Sequence, residues 1–336
     1  MTEYGSLDVR PYQLSCLICR QGRLDETERY PHESRLDAIQ AAVAADPLVP
    51  LTLRCETDTI FRFQNPGRDD DTPEGESYNR LRDLTVLQRI GLVPGATLPA
   101  SDILTRILEA IPCVQGVCCY PEAEAPVWPR CRHADSGNYE RGVARGLGAI
   151  IPQRTHEEME RSKRESAAVC CRAGRLRIRP FHLLCMTCFH DGRDRADLAP
   201  IPADNLQECI VAMQKNPEMP VELIHGPCMV CPPCKFYRRS QNLCGAPKSM
   251  GLRDEKKELD TLRLLGLSFG DVLPARELMQ RLYGAIASTT QVCGHGDGIE
   301  RGREWSVCGG AGGSEAFVRG REAGLGVGGV AVVQQK

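Results

Sequence analysis

The sequence contains two copies of one pattern, and this repetition constrains the fold more than any other feature. Segment 9–19, VRPYQLSCLIC, is matched by segment 178–188, IRPFHLLCMTC. The correspondence continues through Pro50–Leu53 with Pro220–Leu223, each a short strand-like run after a helical segment, and through Ile90–Leu92 with Leu265–Leu267. Since the offset between the copies rises only slowly along the chain, few insertions separate them. We therefore predict a tandem duplication of one unit.

Each predicted unit combines several helices with short strands, so the expected fold class is α+β, with cysteine-rich metal-binding loops. The first repeat covers 7–152 and lacks one of these loops, and the second covers 176–329. A connecting helix that is polar and solvated on every face is predicted over 153–175, where Thr155 and Glu158 fit a capping box. The other predicted helices are Asp37–Ala45, Tyr78–Ile90, Ser101–Ile111, Ser136–Ala144, Asp204–Lys215, Arg253–Leu265, Ala275–Ala285 and Ser314–Ala323.

The overall composition indicates which partners and which cellular location to expect. The chain has 336 residues, 42% of them hydrophobic and 26% charged, with a formal net charge of −2. This balance gives no reason to expect nucleic acid as a partner, and no apolar run is long enough for a membrane span. The first residues lack the features of a secretory signal, so a cytoplasmic location is expected. In a reducing compartment, the 18 cysteines indicate metal ligands or redox groups rather than disulfides.

The densest group of cysteines lies in the second repeat. Cys228, Cys231 and Cys234 have C-x2-C-x2-C spacing, and Cys244 follows ten residues later. Soft thiolates select iron–sulfur clusters, zinc or copper(I), and ferredoxin-type loops begin with this spacing. A [4Fe–4S] cluster is the favoured interpretation. The alternatives are a structural zinc site and free or redox-active thiols.

A second set of cysteines occupies equivalent places in both repeats. Each copy has a C-x2-C pair and two distant cysteines, which are enough for a tetrathiolate centre. These residues could instead be buried small hydrophobes, as free cysteines often are. The two sets are Cys16, Cys19, Cys118 and Cys131 in the first copy, and Cys185, Cys188, Cys293 and Cys308 in the second.

Three features of the second repeat carry a family resemblance. They are Arg179-Pro180-Phe181-His182-Leu183-Leu184-Cys185, then Cys228-Met-Val-Cys231-Pro232 with Cys244, and finally Leu265-Gly266-Leu267. This pattern resembles a small, largely uncharacterised family of bacterial and archaeal proteins thought to bind an iron–sulfur cluster, whose motif is Arg-Pro-His-His-Leu-Leu-Cys. The resemblance implies a cluster held by Cys185, Cys228, Cys231 and Cys244. Here Phe181 replaces the first histidine, and Cys188 and Cys234 are additional thiols.

The expected function is that of an iron–sulfur protein that transfers electrons to a redox partner or within a larger redox enzyme. The alternative is a zinc-stabilised binding module without redox chemistry. A cluster-dependent enzyme with a small-molecule substrate is a third option, although the spacing assigns no catalytic residue. His182, three residues before Cys185, could contact a cluster or could pack in the core.

Overall fold

A computed structural model describes residues 5–57, 71–120, 128, 130–193, 197–247, 250–306 and 313–327. The chain divides into two compact units, Met1–Gln153 and Arg154–Lys336. Both combine helices with small mixed sheets, which confirms the predicted α+β class. None of the helices in the described residues combines the length and low polarity that a membrane crossing requires.

The first unit is built on a three-stranded sheet with helices in the connections. β1 runs parallel to β2, with Leu7 opposite Leu51, and β2 runs antiparallel to β3, with Leu51 opposite Leu98. The elements in order are β1 (Leu7–Val9), α1 (Pro11–Gln21), α2 (Glu33–Ala45), β2 (Pro50–Leu53), α3 (Glu76–Ile90), β3 (Thr97–Pro99), α4 (Ala100–Ala110) and α5 (Asn138–Arg145).

The second unit has a sheet of the same order, strand directions and register. β4 is parallel to β5, with Leu176 opposite Val221, and β5 is antiparallel to β8, with Val221 opposite Leu273. Its elements are α6 (His156–Arg172), β4 (Leu176–Ile178), α7 (His182–His190), α8 (Leu206–Lys215), β5 (Pro220–Leu223), β6 (Tyr237–Arg238), β7 (Leu243–Cys244), α9 (Met250–Leu265), β8 (Val272–Pro274), α10 (Ala275–Ala285) and α11 (Gly313–Glu322).

Helix α6, predicted as a connector, lies within the second compact unit. Its capping box forms as expected, since the Glu158 backbone N–H donates to Thr155 Oγ1 at 3.2 Å and the Thr155 N–H donates to Glu158 Oε2 at 2.8 Å. The helix is not solvated on every face. Cys170 is buried, and Lys163 pairs with Glu208 of α8 at 2.7 Å.

Two helices that carry cysteine pairs were missing from the sequence-based prediction. Cys16 and Cys19 lie on α1, whereas Cys185 and Cys188 lie on α7, so both C-x2-C pairs occupy successive turns of a helix. Pro11 at the start of α1 was a usable signal, because proline is favoured in the first helical turn. Several predicted starts were also displaced; α5, for example, begins at Asn138 rather than Ser136.

A close crossing of two helices recurs in both units. In the first unit, a Cβ added to Gly142 of α5 would lie 2.0 Å from the Ile18 carbonyl oxygen of α1. In the second, a Cβ on Gly320 of α11 would lie 2.1 Å from the Thr187 carbonyl oxygen of α7. Real side chains do not tolerate such distances, so each crossing requires glycine.

Gly320→Ala is expected to destabilise the protein by about 1–3 kcal/mol, because the methyl group must push α7 and α11 apart. The matched control is Gly284→Ala in α10, where nothing lies within 4 Å of the added Cβ. An alanine at this helical position should be neutral or stabilise by up to about 1 kcal/mol. Urea unfolding followed by circular dichroism compares the two, and equal midpoints would contradict the close crossing.

Candidate metal centre

The position of His182 follows from the turn between β4 and α7. Arg179 is buried there, and its guanidinium donates a hydrogen bond to Glu258 of α9. The same guanidinium lies 4.8 Å from the centroid of the Phe181 ring. These contacts fix the first residues of α7, and His182 Nδ1 comes within 3.0 Å of Cys228 Sγ.

The cysteine loop after β5 is shaped by short-range backbone hydrogen bonds. The Cys231 N–H donates to the Cys228 carbonyl at 3.0 Å, and the Cys234 N–H donates to the Cys231 carbonyl at 2.9 Å. Two consecutive turns therefore follow the C-x2-C-x2-C spacing. The Cys228 Sγ accepts a further bond from the Val230 N–H at 3.4 Å.

Residues of α6 and its N-terminal flank hold this loop from outside. Arg154 Nη1 donates to the carbonyl oxygens of Pro232 at 2.7 Å and Cys234 at 2.8 Å. Ser162 Oγ also donates to the Pro232 carbonyl, at 2.8 Å. Arg154 and Ser162 thus orient the loop through its backbone carbonyl groups, and these contacts do not use the cysteine sulfur atoms.

His182, Cys228 and Cys231 form the candidate metal centre. Their ligand atoms all lie within 4.8 Å of one another. Among the described residues, no other group of three or more His, Cys, Asp or Glu side chains has its ligand atoms this close together. A nitrogen and two sulfurs are soft donors suited to zinc, copper(I) or an iron–sulfur cluster. The predicted ligands Cys228 and Cys231 are therefore brought together.

The protonation states of Cys228 and His182 suit ligation, whereas in the metal-free protein Cys231 is held as the protonated thiol. Burial opposes ionisation of Cys228, but hydrogen bonds from the Cys231 thiol and from the backbone N–H groups of Arg179 and Val230 outweigh it and lower the Cys228 pKa. The same Cys228–Cys231 hydrogen bond, together with burial, raises the pKa of Cys231. Burial lowers the pKa of His182, which favours the neutral imidazole that a metal requires.

Cys234 and Cys244 lie beside this centre but outside the group of three. The β6–β7 hairpin pairs Tyr237 with Cys244 and turns the chain back toward the loop. Burial raises the pKa of both thiols; in addition, Cys231 raises that of Cys234, and Cys234 raises that of Cys244. The four thiols of the loop are therefore close enough to influence one another's ionisation.

The other predicted ligands of the second unit do not join this group. Cys185 and Cys188 lie on the turns of α7 after His182, and Cys293 Sγ donates to the Thr289 carbonyl at 3.3 Å. Cys308 lies outside the described residues. Of the ligand set that the family resemblance implies, Cys228 and Cys231 are in the group. The group also contains His182, for which the sequence left open either a contact with a cluster or packing in the core.

In the first unit, the structure brings the four predicted thiols to one place. Cys16, Cys19, Cys118 and Cys131 line a single cavity of about 20 Å³. Tyr78 connects the two distant cysteines, because its hydroxyl donates to the Cys118 carbonyl at 2.6 Å and accepts from the Cys131 N–H at 3.2 Å. Sequence spacing alone could not show this convergence.

Comparison with protein-family models, curated proteins and solved structures finds no match to this chain.

The metal-free protein is expected to lose stability as the pH falls below about 6.5, in part because of His182. Its pKa is lower in the folded state, so the unfolded chain takes up the proton first. The stability contributed by neutral His182 is therefore fully present above the unfolded pKa and is lost on acidification. Urea midpoints measured between about pH 8 and pH 5 should fall less for His182→Gln than for the unaltered protein.

His156→Gln is the control for this measurement, because the His156 side chain is 79% exposed on α6. It should follow the unaltered protein across the pH range. If His182→Gln also follows it, protonation of His182 does not contribute to acid sensitivity.

Proposed function

We propose that the second unit binds an iron–sulfur cluster through its cysteine loop and that the protein transfers electrons to a redox partner. The observation that carries this proposal is the convergence of Cys228 and Cys231 with His182, next to Cys234 and Cys244 of the same loop. The three grouped ligands, with Cys234 and Cys244 of the same loop, make five candidate donors, one more than a single closed zinc site uses. They also match the thiolate-rich loops that hold clusters.

The surroundings of the loop are compatible with such a centre. Thiolate-ligated clusters carry negative charge, and Arg179 lowers the pKa of Cys228 both through its backbone N–H and through its charge. Backbone N–H groups already donate to Cys228 and Cys231 sulfurs, as at cluster sites where such bonds tune the reduction potential. The donor set and its electrostatics therefore fit a thiolate-bound cluster.

Partial exposure supports electron transfer rather than a sealed structural role. Cys228 is buried, whereas Cys231, Cys234 and Cys244 are only partly buried. A cluster held here would have one side near the protein surface, where a partner can approach.

A zinc-stabilised module is the second candidate, and it is favoured by the compactness of the central group. Zinc–sulfur bonds of about 2.3 Å in a tetrahedron place neighbouring sulfurs about 3.8 Å apart. The ligand atoms of His182, Cys228 and Cys231, all within 4.8 Å of one another, are compatible with one ion of this kind. In that case, the loop would stabilise the fold without redox chemistry.

Metal and acid-labile sulfide analysis of anaerobically purified protein distinguishes the two candidates. A [4Fe–4S] cluster in the second unit predicts about four iron and four sulfide per chain that are lost in Cys228→Ala/Cys231→Ala. The control is Cys171→Ala, which removes an exposed thiol of α6 in the same unit and should retain both. Zinc without sulfide, lost in the same double variant, would replace the electron-transfer proposal with the zinc module.

His182→Gln tests whether the imidazole belongs to the centre. Removing a ligand or a close hydrogen-bonding partner is expected to weaken metal retention by about 10–100-fold. Competition with a chelator measures the change. Unchanged retention would place His182 outside the metal site.

A further inference from the structure

The four thiols of the first unit meet where the chain brings distant segments together. Cys16 and Cys19 lie on α1, and the Cys131 N–H donates to the Cys118 carbonyl at 3.1 Å, which holds the other two cysteines side by side. All four side chains are at least nine-tenths buried. The cavity they line, about 20 Å³, is slightly larger than the 10–15 Å³ that one water molecule needs.

A buried arginine points into the same cavity. Arg82 of α3 is 1% exposed, and its Nη2 donates to Cys16 Sγ at 3.5 Å and to Cys118 Sγ at 3.3 Å. Its Nη1 donates to the neutral amide oxygen of Asn79 at 3.2 Å. The guanidinium also lies 4.7 Å from the centroid of the Tyr12 ring.

This buried cation is without a carboxylate partner in the described part of the chain. Neighbouring Asp83 instead pairs with Arg10 at 2.7 Å. Glu74 also lines the cavity, with its Oε2 buried and without a hydrogen-bond partner, but it is not within ion-pair distance of Arg82. Guanidinium groups remain charged in proteins, and an uncompensated buried charge is strongly unfavourable. Arg82 therefore makes no direct contact with a carboxylate, and the thiols that accept its hydrogen bonds are the neighbouring groups that can supply negative charge.

The second unit shows how the same position is neutralised when a carboxylate is present. Aligning Ile90–Leu92 with Leu265–Leu267 places Lys257 at the position of Arg82 and Asp254 at that of Asn79. Lys257 Nζ pairs with Asp254 Oδ1 at 2.7 Å. In the first unit, the carboxylate is replaced by an amide, and the thiols occupy the space near the cation.

We propose that this cavity is a second metal site, in which Cys16, Cys19, Cys118 and Cys131 hold a thiophilic metal centre and Arg82 is its buried counter-cation. No three of the four sulfur atoms lie within 4.8 Å of one another, so a single zinc ion would have to draw them closer together. Four thiolates around one divalent zinc, or around an oxidised [4Fe–4S] core, give the same net charge of two negative units. Arg82 offsets part of that charge and donates hydrogen bonds to two of the ligand sulfurs. The proposal is independent of the cysteine loop in the second unit.

The site also has a structural consequence. Metal binding would connect α1 to the segment around Cys118 and Cys131, which lies about a hundred residues further along the chain. Because such a site does not exist in the unfolded chain, metal binding contributes to folding stability. The first unit should therefore unfold more easily when its metal is removed.

Metal content measured in the full chain carrying Cys228→Ala/Cys231→Ala tests the site without contribution from the second-unit loop. We expect one tightly held centre per chain that survives in this background and is lost when Cys131→Ser is added. Cys55→Ser is the matched control, because Cys55 is fully buried in the same unit but does not line the cavity, and its Sγ already donates to the Glu56 carbonyl. That variant should retain the metal.

The same samples determine the kind of centre. Zinc without sulfide identifies a single ion, whereas about four iron with equal sulfide identifies a cluster. A folded background protein that holds no metal overturns the proposal, as does metal that persists in Cys131→Ser. Loss of the metal in Cys55→Ser as well would also overturn it.

Asn79→Asp tests the role of Arg82 without removing a ligand, and it keeps the proposal testable if Cys131→Ser does not fold. The new carboxylate would neutralise Arg82, as Asp254 neutralises Lys257, and would repel the thiolates. We expect chelator competition to show metal affinity weakened about tenfold or more, equivalent to about 1.4 kcal/mol. Unchanged affinity in folded Asn79→Asp would exclude Arg82 as the counter-cation.

Discussion

A buried arginine–carboxylate pair is the interaction on which each unit depends. Arg10 follows β1 and pairs with Asp83 of α3, and Arg179 follows β4 and pairs with Glu258 of α9. Both arginines and both carboxylates are nearly inaccessible to solvent. Removing one partner of such a pair typically costs about 3–5 kcal/mol, since the other charge is left buried and unpaired. The pair therefore ties the end of the first strand to a helix that is distant in sequence.

The candidate centre of the second unit is positioned through this pair. Arg179 lies three residues before His182, and its guanidinium both pairs with Glu258 and lies over the Phe181 ring. Its backbone N–H and its charge both lower the pKa of Cys228. Arg179 thus fixes the start of α7 and also favours ionisation of Cys228. The same buried residue therefore contributes to both the fold and the thiol chemistry.

Sequence patterns predicted the local features better than the convergence of distant ones. The strands Pro50–Leu53 and Pro220–Leu223 were recognised because each is a short β-favouring run after a helix. The loop cysteines Cys228 and Cys231 were recognised because their ligand spacing is local. Membership of His182 in the group depended on the three-dimensional turn after β4, and the meeting of the four first-unit thiols depended on contacts such as the Tyr78 bridge. The repeat had suggested the four thiols as a set and His182 as a possible cluster contact, but residue spacing does not show that either group converges in space.

The cysteine loop of the second unit and the thiol cavity of the first unit differ in burial, and our proposals therefore give them different roles. Both lie in units built on a three-stranded sheet of the same order. In the second unit, Lys257 is already neutralised by Asp254, and the thiols lie on a separate, partly exposed loop where electrons can be exchanged with a partner. In the first unit, Asn79 leaves Arg82 without a carboxylate among the described residues, and the thiols lie inside with it. A centre enclosed in this way is shielded from a partner and would act through stability. Asp254 of the second unit is thus replaced by Asn79 in the first. In our proposals, this difference leaves a buried positive charge beside the first-unit thiols only.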